Sequence, residues 1–485
     1  MLQAKPIQQT IFFLTAALLV PLAQLHATDP VDIDSQRELF VDQYLIESLD
    51  GARLVLHRPQ ARERVFEFDK PWEGLYSGYE TVLKDGNTYR FYYRGMPEPK
   101  HDLETEVTCV AESKDGIHWT RPKLGIYEVR GTKENNAVLA RNRGCHNLAP
   151  FIDTCPNCAS DQRYKALGGT GKPGLLAFVS PDGLHWKQIQ AEPVITKGAF
   201  DSQNNAFWSV SEQQYVCYFR VFRDGKRWIA RTTSNDFVHW ADPIDLELDD
   251  KPREHLYTNQ IDPYVRAPQI YLGLPTRFLP GRRVVTDEEA RRIGTPTEWN
   301  YANDCTDILL TSARGGANFN RTFMEAFIRP GADLRNWTSR ANYAARGILQ
   351  TGARELSIYV KHNSGYASTH LRRYTIRPDG FVSVSGSYAG GEMITKLLRF
   401  SGNRLKINFA SSAVGGLRVE LQTPDGQPFN GFALADCTEV IGDRIEQIVR
   451  WGSGPDVGAL AGQPVKLRFV LKDADLYSLQ FTTEK

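Results

Sequence analysis

Three acidic residues sit in strings of polar and aromatic side chains. Glu80 follows Tyr76-Ser77-Gly78-Tyr79, Asp201 precedes Ser202-Gln203-Asn204-Asn205, and Glu254 precedes His255-Leu256-Tyr257-Thr258-Asn259. Carboxyl groups in pairs can protonate a leaving oxygen on one side of a bond and attack, or activate water, on the other. A third acid can tune such a pair. Aromatic faces stack on sugar rings, and amides bind hydroxyls. The expected catalytic set is therefore Glu80, Asp201 and Glu254, with Asp201 or Glu254 as general acid and Glu80 as base or nucleophile. Tyr79, Gln203, Asn204 and Tyr257 are expected to touch the substrate. For each acid the competing reading is a solvated or turn-capping carboxylate. Asp153 aligns with the turn residue Asp85 and is set aside; Asp304, Asp307 and Glu325 are held in reserve.

Arginines recur at matched strand ends: Arg94 in FYYRG, Arg220 in CYFRV and Arg277 in LPTRF, with Lys361-His362 as the fifth-unit counterpart. Guanidinium groups gathered at one mouth favour a carboxylated or sulfated sugar, through bidentate hydrogen bonds. Ion pairing with the nearby acids is the equal alternative. His146 stands near the start of another inner strand, where it either binds a hydroxyl or serves the structure.

The chain has seven cysteines, an odd number, so at least one stays free or pairs between chains. Cys145-His146 with Cys155-x-x-Cys158 has the residue types of a zinc site, but a local disulfide or buried thiols fit the single CxxC better. There is no nucleotide-binding loop, no HExxH helix and no Gly-x-Ser-x-Gly elbow. No cofactor and no metal are expected.

Residues must be positioned by elements, and here the strongest signal is a repeat. Ser-Lys-Asp-Gly-Ile-His-Trp at 113–119 returns as Ser-Pro-Asp-Gly-Leu-His-Trp at 180–186 and Ser-Asn-Asp-Phe-Val-His-Trp at 234–240. Weaker copies are Ser-Ala-Arg-Gly-Gly-Ala-Asn-Phe at 312–319 and Arg-Pro-Asp-Gly-Phe at 377–381. Their third residues, 115, 182, 236, 314 and 379, are 67, 54, 78 and 65 apart. Asp accepts hydrogen bonds from a tight turn, Gly supplies positive φ, and Trp plugs the sheet. A period of this size carried on strands predicts a β-propeller, here of five blades over residues 35–384. Beyond about residue 385 the pattern alternates with period two, as in Arg404-Leu-Lys-Ile-Asn-Phe and Leu417-Arg-Val-Glu-Leu. That predicts an antiparallel β-sandwich over 385–485 and an all-β chain.

The N-terminus reads as an export address: Lys5, an apolar run from Ile11 to Leu25, then His26-Ala27-Thr28. Cleavage after Ala27 would leave a secreted or periplasmic protein with no membrane segment. Basic and acidic residues number 58 and 57. Without the basic excess a nucleic-acid binder needs, a nucleic-acid partner is not expected.

The Ser-x-Asp-Gly-x-x-Trp elements, the Tyr-Arg-Phe-Tyr-Tyr-Arg-Gly strand at 89–95 and the terminal sandwich resemble the five-bladed glycosidases of glycoside hydrolase families 32 and 43. The resemblance covers roughly residues 35–483, at the level of architecture. It is also similar to exported family-32-like proteins of polysaccharide-degrading bacteria. It implies an exported glycoside hydrolase acting on a carbohydrate, with a non-catalytic glycan-binding propeller as the alternative and a sugar phosphorylase as a third reading. The family-32 Trp-Met-Asn-Asp-Pro, Arg-Asp-Pro and Glu-Cys motifs are absent, so the resemblance transfers no catalytic residue.

Overall fold

The computed structural model describes residues 29–484 apart from Lys100 and Ser453. The expected export segment, 1–27, lies outside the described residues. As expected, the chain is nearly all β. Its one α-helix among the described residues is short, Asp287–Ile293, and no described helix is long and apolar enough to cross a membrane.

Five antiparallel units follow one another. The first contains Gly78–Asp85, Thr88–Gly95, Val107–Ser113 and Ala137–Ala140. The second runs from Ala149–Ile152 through Tyr164–Gly168 and Leu176–Ser180 to Lys187–Gln188. The third has Asn205–Ser209, Gln214–Arg223, Lys226–Ser234 and Ile244–Asp245. The fourth is divided. Asp262–Tyr264 pairs with Ala267–Gly273 and that with Thr311–Ala313, while His255–Leu256, Thr276–Leu279 and Cys305–Ile308 form a second ladder. The fifth has Tyr343–Gly352, Glu355–His362 and His370–Ile376. Its fourth strand is Gln60–Glu67, which comes from the opposite end of the chain.

The first strands of these units neighbour one another in a closed circuit, from Gly78–Asp85 round to Tyr343–Gly352 and back. A parallel bridge between Arg346 and Thr81 closes it. Arg346 spans the middle. Its guanidinium donates to Asp262 Oδ1 at 2.8 Å, to Ala206 O at 2.7 Å and to Pro150 O at 3.4 Å.

The repeated motif is a turn, as its residue types require. Asp115 Oδ1 accepts from Ile117 N and His118 N, both at 2.8 Å. Asp182 and Asp236 repeat the pattern. Gly116 and Gly183 have φ of 75° and 76°; Phe237 takes the same place in the third copy at 68°. The turn also fastens neighbours. Tyr359 donates to Gly116 O at 2.6 Å, Tyr92 to Gly183 O at 3.0 Å and Tyr218 to Gly316 O at 2.7 Å, each from the adjacent unit. Among the described residues the histidines of the motif bond to their own aspartates, each at 2.7 Å, so they belong to the turn.

The C-terminal strands include two long ones, Arg404–Gln422 and Lys466–Thr482. The first absorbs two segments that alternation suggested as separate strands. Their core is aliphatic and aromatic, with Phe400 and Phe481 stacked at 3.7 Å. Residues 31–56, most of them placed by sequence with the repeat, pair here instead. Buried Asp379 ties the two regions together, accepting from Arg37 at 3.2 Å, Arg266 at 3.0 Å and Tyr264 at 2.7 Å.

Candidate functional site

At one end of the circuit lies a cavity of about 390 Å³. The start of each unit sends one side chain into it: Tyr79, His146, Asp201, Tyr257 and Tyr343. Strand ends add Arg94 and Lys361, and connecting loops add Tyr76, His101, Tyr301 and Arg340. A ring of strands brings residues far apart in sequence to one mouth, which is why equivalent positions matter more than neighbouring ones.

Asp201 is the carboxylate of this cavity. Its side chain is 58% exposed. Oδ1 receives Tyr79 OH at 3.1 Å and stands 3.2 Å from His146 Nε2; Oδ2 lies 3.6 Å from an Arg220 nitrogen. Desolvation works against the charged form, but the His146 hydrogen bond and the guanidinium charges of Arg220 and Arg94 hold the carboxyl well below the ordinary range. Asp201 is therefore ionised. That conflicts with the general-acid role expected for it, because a general acid must carry its proton at working pH.

Tyr79 itself has φ of 56°, an unusual conformation for a bulky residue. The Arg94 guanidinium lies 4.6 Å from its ring centre and donates to Tyr76 O at 2.7 Å. Arg220 donates to Ala199 O at 3.1 Å, which fixes it behind Asp201. Tyr257 and Tyr343 stack at 5.8 Å and form a flat wall.

Glu80 is buried and does not line the cavity. Burial raises its pKa, against the opposing charge of Lys361, and Oε1 has no hydrogen-bond partner. Lys361 reaches the cavity. Burial lowers its amine to about 8, against the pull of Glu80. Of this acid and amine, only the amine meets the cavity.

Other expected residues lie elsewhere. Glu254 is absent from the cavity lining and pairs with Arg277 at 3.5 Å and with Arg321. Arg277 in turn holds Asp307 through two bonds, at 2.9 and 2.7 Å. For Arg277 the ion-pair alternative is what the structure shows; Glu254 is an ion-paired carboxylate, neither solvated nor turn-capping as its alternative had it. Gln203 and Asn204 are fully buried. Gln203 bonds Thr81 Oγ1 at 2.7 Å and so ties two inner strands, while Asn204 bonds Phe200 O at 3.2 Å within its own loop; neither lines the cavity. Asp153, set aside from sequence, is held by Lys165 and Tyr215, each at 2.7 Å. All seven thiols are free: of the two alternatives the local disulfide is not formed, and five of the thiols are buried while Cys155 and Cys158 are half-buried.

Sequence reasoning missed His101, Glu106, Tyr301, Tyr343 and Arg340. His101 and Glu106 occupy the segment leaving the Arg94 strand, where a pair of ligand-type residues five apart was the available signal.

No protein-family model matches the chain, and no curated protein matches it. Solved structures of similar chain path include a glycosyl hydrolase from Bacteroides ovatus, at 13% identity and TM-score 0.42, covering 71% of this chain and 97% of that one. A second belongs to the GH130 family of mannoside phosphorylases, which contains glycoside hydrolases that target β-1,2-mannosidic linkages in Candida mannan. It is 14% identical with TM-score 0.41, covering 70% and 96%. A third is an N-acetylgalactosamine deacetylase from F. plautii in complex with blood group B trisaccharide, at 12% and 0.41, covering 67% and 95%. Glycoside hydrolases are thus prominent among the structures the chain resembles, and its own chemistry has to be read from its own cavity.

Proposed function

We propose that the five units are the blades of a β-propeller, that the C-terminal strands form a β-sandwich, and that the protein is a glycoside hydrolase whose substrate occupies the cavity around Asp201. The observation that carries this reading is the convergence of Tyr79, His146 and Arg220 on one cavity-facing carboxylate. A carboxylate held so firmly ionised is a weak base. It suits attack on the anomeric carbon, or stabilisation of the positive charge that builds there. The leaving oxygen takes its proton from the Lys361 ammonium, which Glu80 backs from behind. Water then completes the hydrolysis. Tyrosine faces offer stacking surface for sugar rings, and Arg94, Arg340 and Lys361 favour a substrate bearing carboxylate or sulfate groups.

A second reading, glycan binding without cleavage, is favoured by one observation: of the three expected acids only Asp201 lines the cavity. A product screen over neutral, carboxylated and sulfated polysaccharides, with Asp201→Asn alongside, separates the two. Reducing ends released by the wild type and not by the variant support hydrolysis. Binding by both without product supports a lectin.

A further inference from the structure

Glu106 is almost wholly buried, and its carboxylate faces two imidazoles. His101 Nδ1 is 2.5 Å from Oε2; His146 Nδ1 is 3.1 Å from Oε1 and 3.2 Å from Oε2. On its other side, His146 Nε2 is 3.2 Å from Asp201 Oδ1. So one imidazole stands between two carboxylates. A neutral imidazole carries a single N–H and can donate to only one of them. If Nε2–H serves Asp201, the Nδ1 lone pair points at the Glu106 carboxylate, and two acceptors confront each other in a buried place. In that tautomer a cation seated between Nδ1 and Glu106 would satisfy both acceptors; in the other, Nδ1–H donates to Glu106 and Nε2 accepts from an Arg94 nitrogen at 3.0 Å.

A metal ion bound through Nδ1 would keep Nε2–H on Asp201 and turn the facing lone pairs of Nδ1 and Glu106 into ligand bonds. The donor atoms of His101, Glu106 and His146 lie within 4.8 Å of one another. Donors about 2.1 Å from one tetrahedral ion stand roughly 3.4 Å apart, so side-chain movements of about 1 Å close the set. An imidazole that ligates through one nitrogen and gives its other N–H to a carboxylate is the usual arrangement of a metal-bound histidine. Two imidazoles and one carboxylate match zinc and its first-row neighbours rather than magnesium or calcium, which prefer oxygen alone. We propose that His101, Glu106 and His146 bind one divalent transition-metal ion of the zinc class at the cavity edge, with Asp201 as the positioning carboxylate for His146. His101 and His146 both line the cavity, so the remaining coordination position opens toward whatever the cavity holds. The site is distinct from the cysteine-based one suggested by Cys155-x-x-Cys158, and it stands whether the cavity cleaves a glycan or only binds one.

The test is a binding measurement on the whole chain, stripped with chelator and dialysed against zinc chloride, with bound metal counted by mass spectrometry. One equivalent is expected. His101→Ala, a change at a partly exposed loop side chain that leaves the fold intact, and Glu106→Gln should each weaken zinc binding by at least tenfold. Asp201→Asn should weaken it by about tenfold through His146. A Cys155→Ser/Cys158→Ser double variant should retain the full equivalent. Circular dichroism checks that each variant is folded. Failure of the wild type to hold one equivalent, undiminished binding by folded His101→Ala and Glu106→Gln, or loss of the ion in the cysteine variant would each overturn the proposal.

Discussion

His146 Nε2 lies 3.2 Å from Asp201 Oδ1, joining the entry to the second unit with the entry to the third across the cavity mouth. Tyr79 OH completes the grip at 3.1 Å, from the first unit. Tyr79→Phe removes that donor and leaves the ring. The Asp201 carboxyl should then titrate at higher pH, and kcat should fall by roughly one to two powers of ten, with a smaller change in KM. Steady-state kinetics on the substrate found by the product screen reads both.

Lys361 sets the alkaline limb. Its amine titrates near 8 in the folded protein, against an ordinary 10.5, because burial disfavours the charged form more than Glu80 favours it. Activity that needs the ammonium should fall as pH rises through about 8. Folding has the opposite sign. The unfolded chain binds the extra proton between pH 8 and 10.5, so the lysine penalises the fold fully below 8 and progressively less above it. Urea melts of wild type and Lys361→Met should therefore show the variant gaining most at neutral pH, with the difference shrinking toward pH 10.5.

Glu254 gives the negative control. It pairs with Arg277 and Arg321 away from the cavity. Glu254→Gln should lower thermal stability and leave kcat within about twofold of wild type. A thousandfold loss of kcat in a folded variant would return Glu254 to the catalytic set.

Asp379 anchors the junction between the repeat units and the C-terminal strands through Arg37, Arg266 and Tyr264. Asp379→Ala removes the buried acceptor of Tyr264 and leaves Arg37 and Arg266 with Glu446 as their shared carboxylate, and should cost about 1–3 kcal/mol, seen as a lower urea midpoint. Ligand binding at the distant cavity should persist below that midpoint.

What could be read from sequence follows from how local each signal is. The Asp-Gly turns were legible because Asp115, Asp182 and Asp236 bond to backbone only two and three residues away. Asp201 and Tyr79 were legible as strand entries. Glu254 was not separable from them, because Arg277 and Arg321 lie 23 and 67 positions further along and only the fold brings them together. The same holds for Gln60–Glu67, which completes the last unit from the first part of the chain. His101 and Glu106 sit on a connection without periodicity, and their meaning appears only once His146 is seen between Glu106 and Asp201.

Whether the Asp201 carboxylate takes part in bond cleavage is read from turnover by Asp201→Asn set beside its affinity for the same oligosaccharide. Catalysis by this carboxylate should show as a loss of kcat of about a thousandfold or more with affinity kept within about tenfold. An Asp201→Asn protein that still cleaves at a rate close to wild type would contradict it.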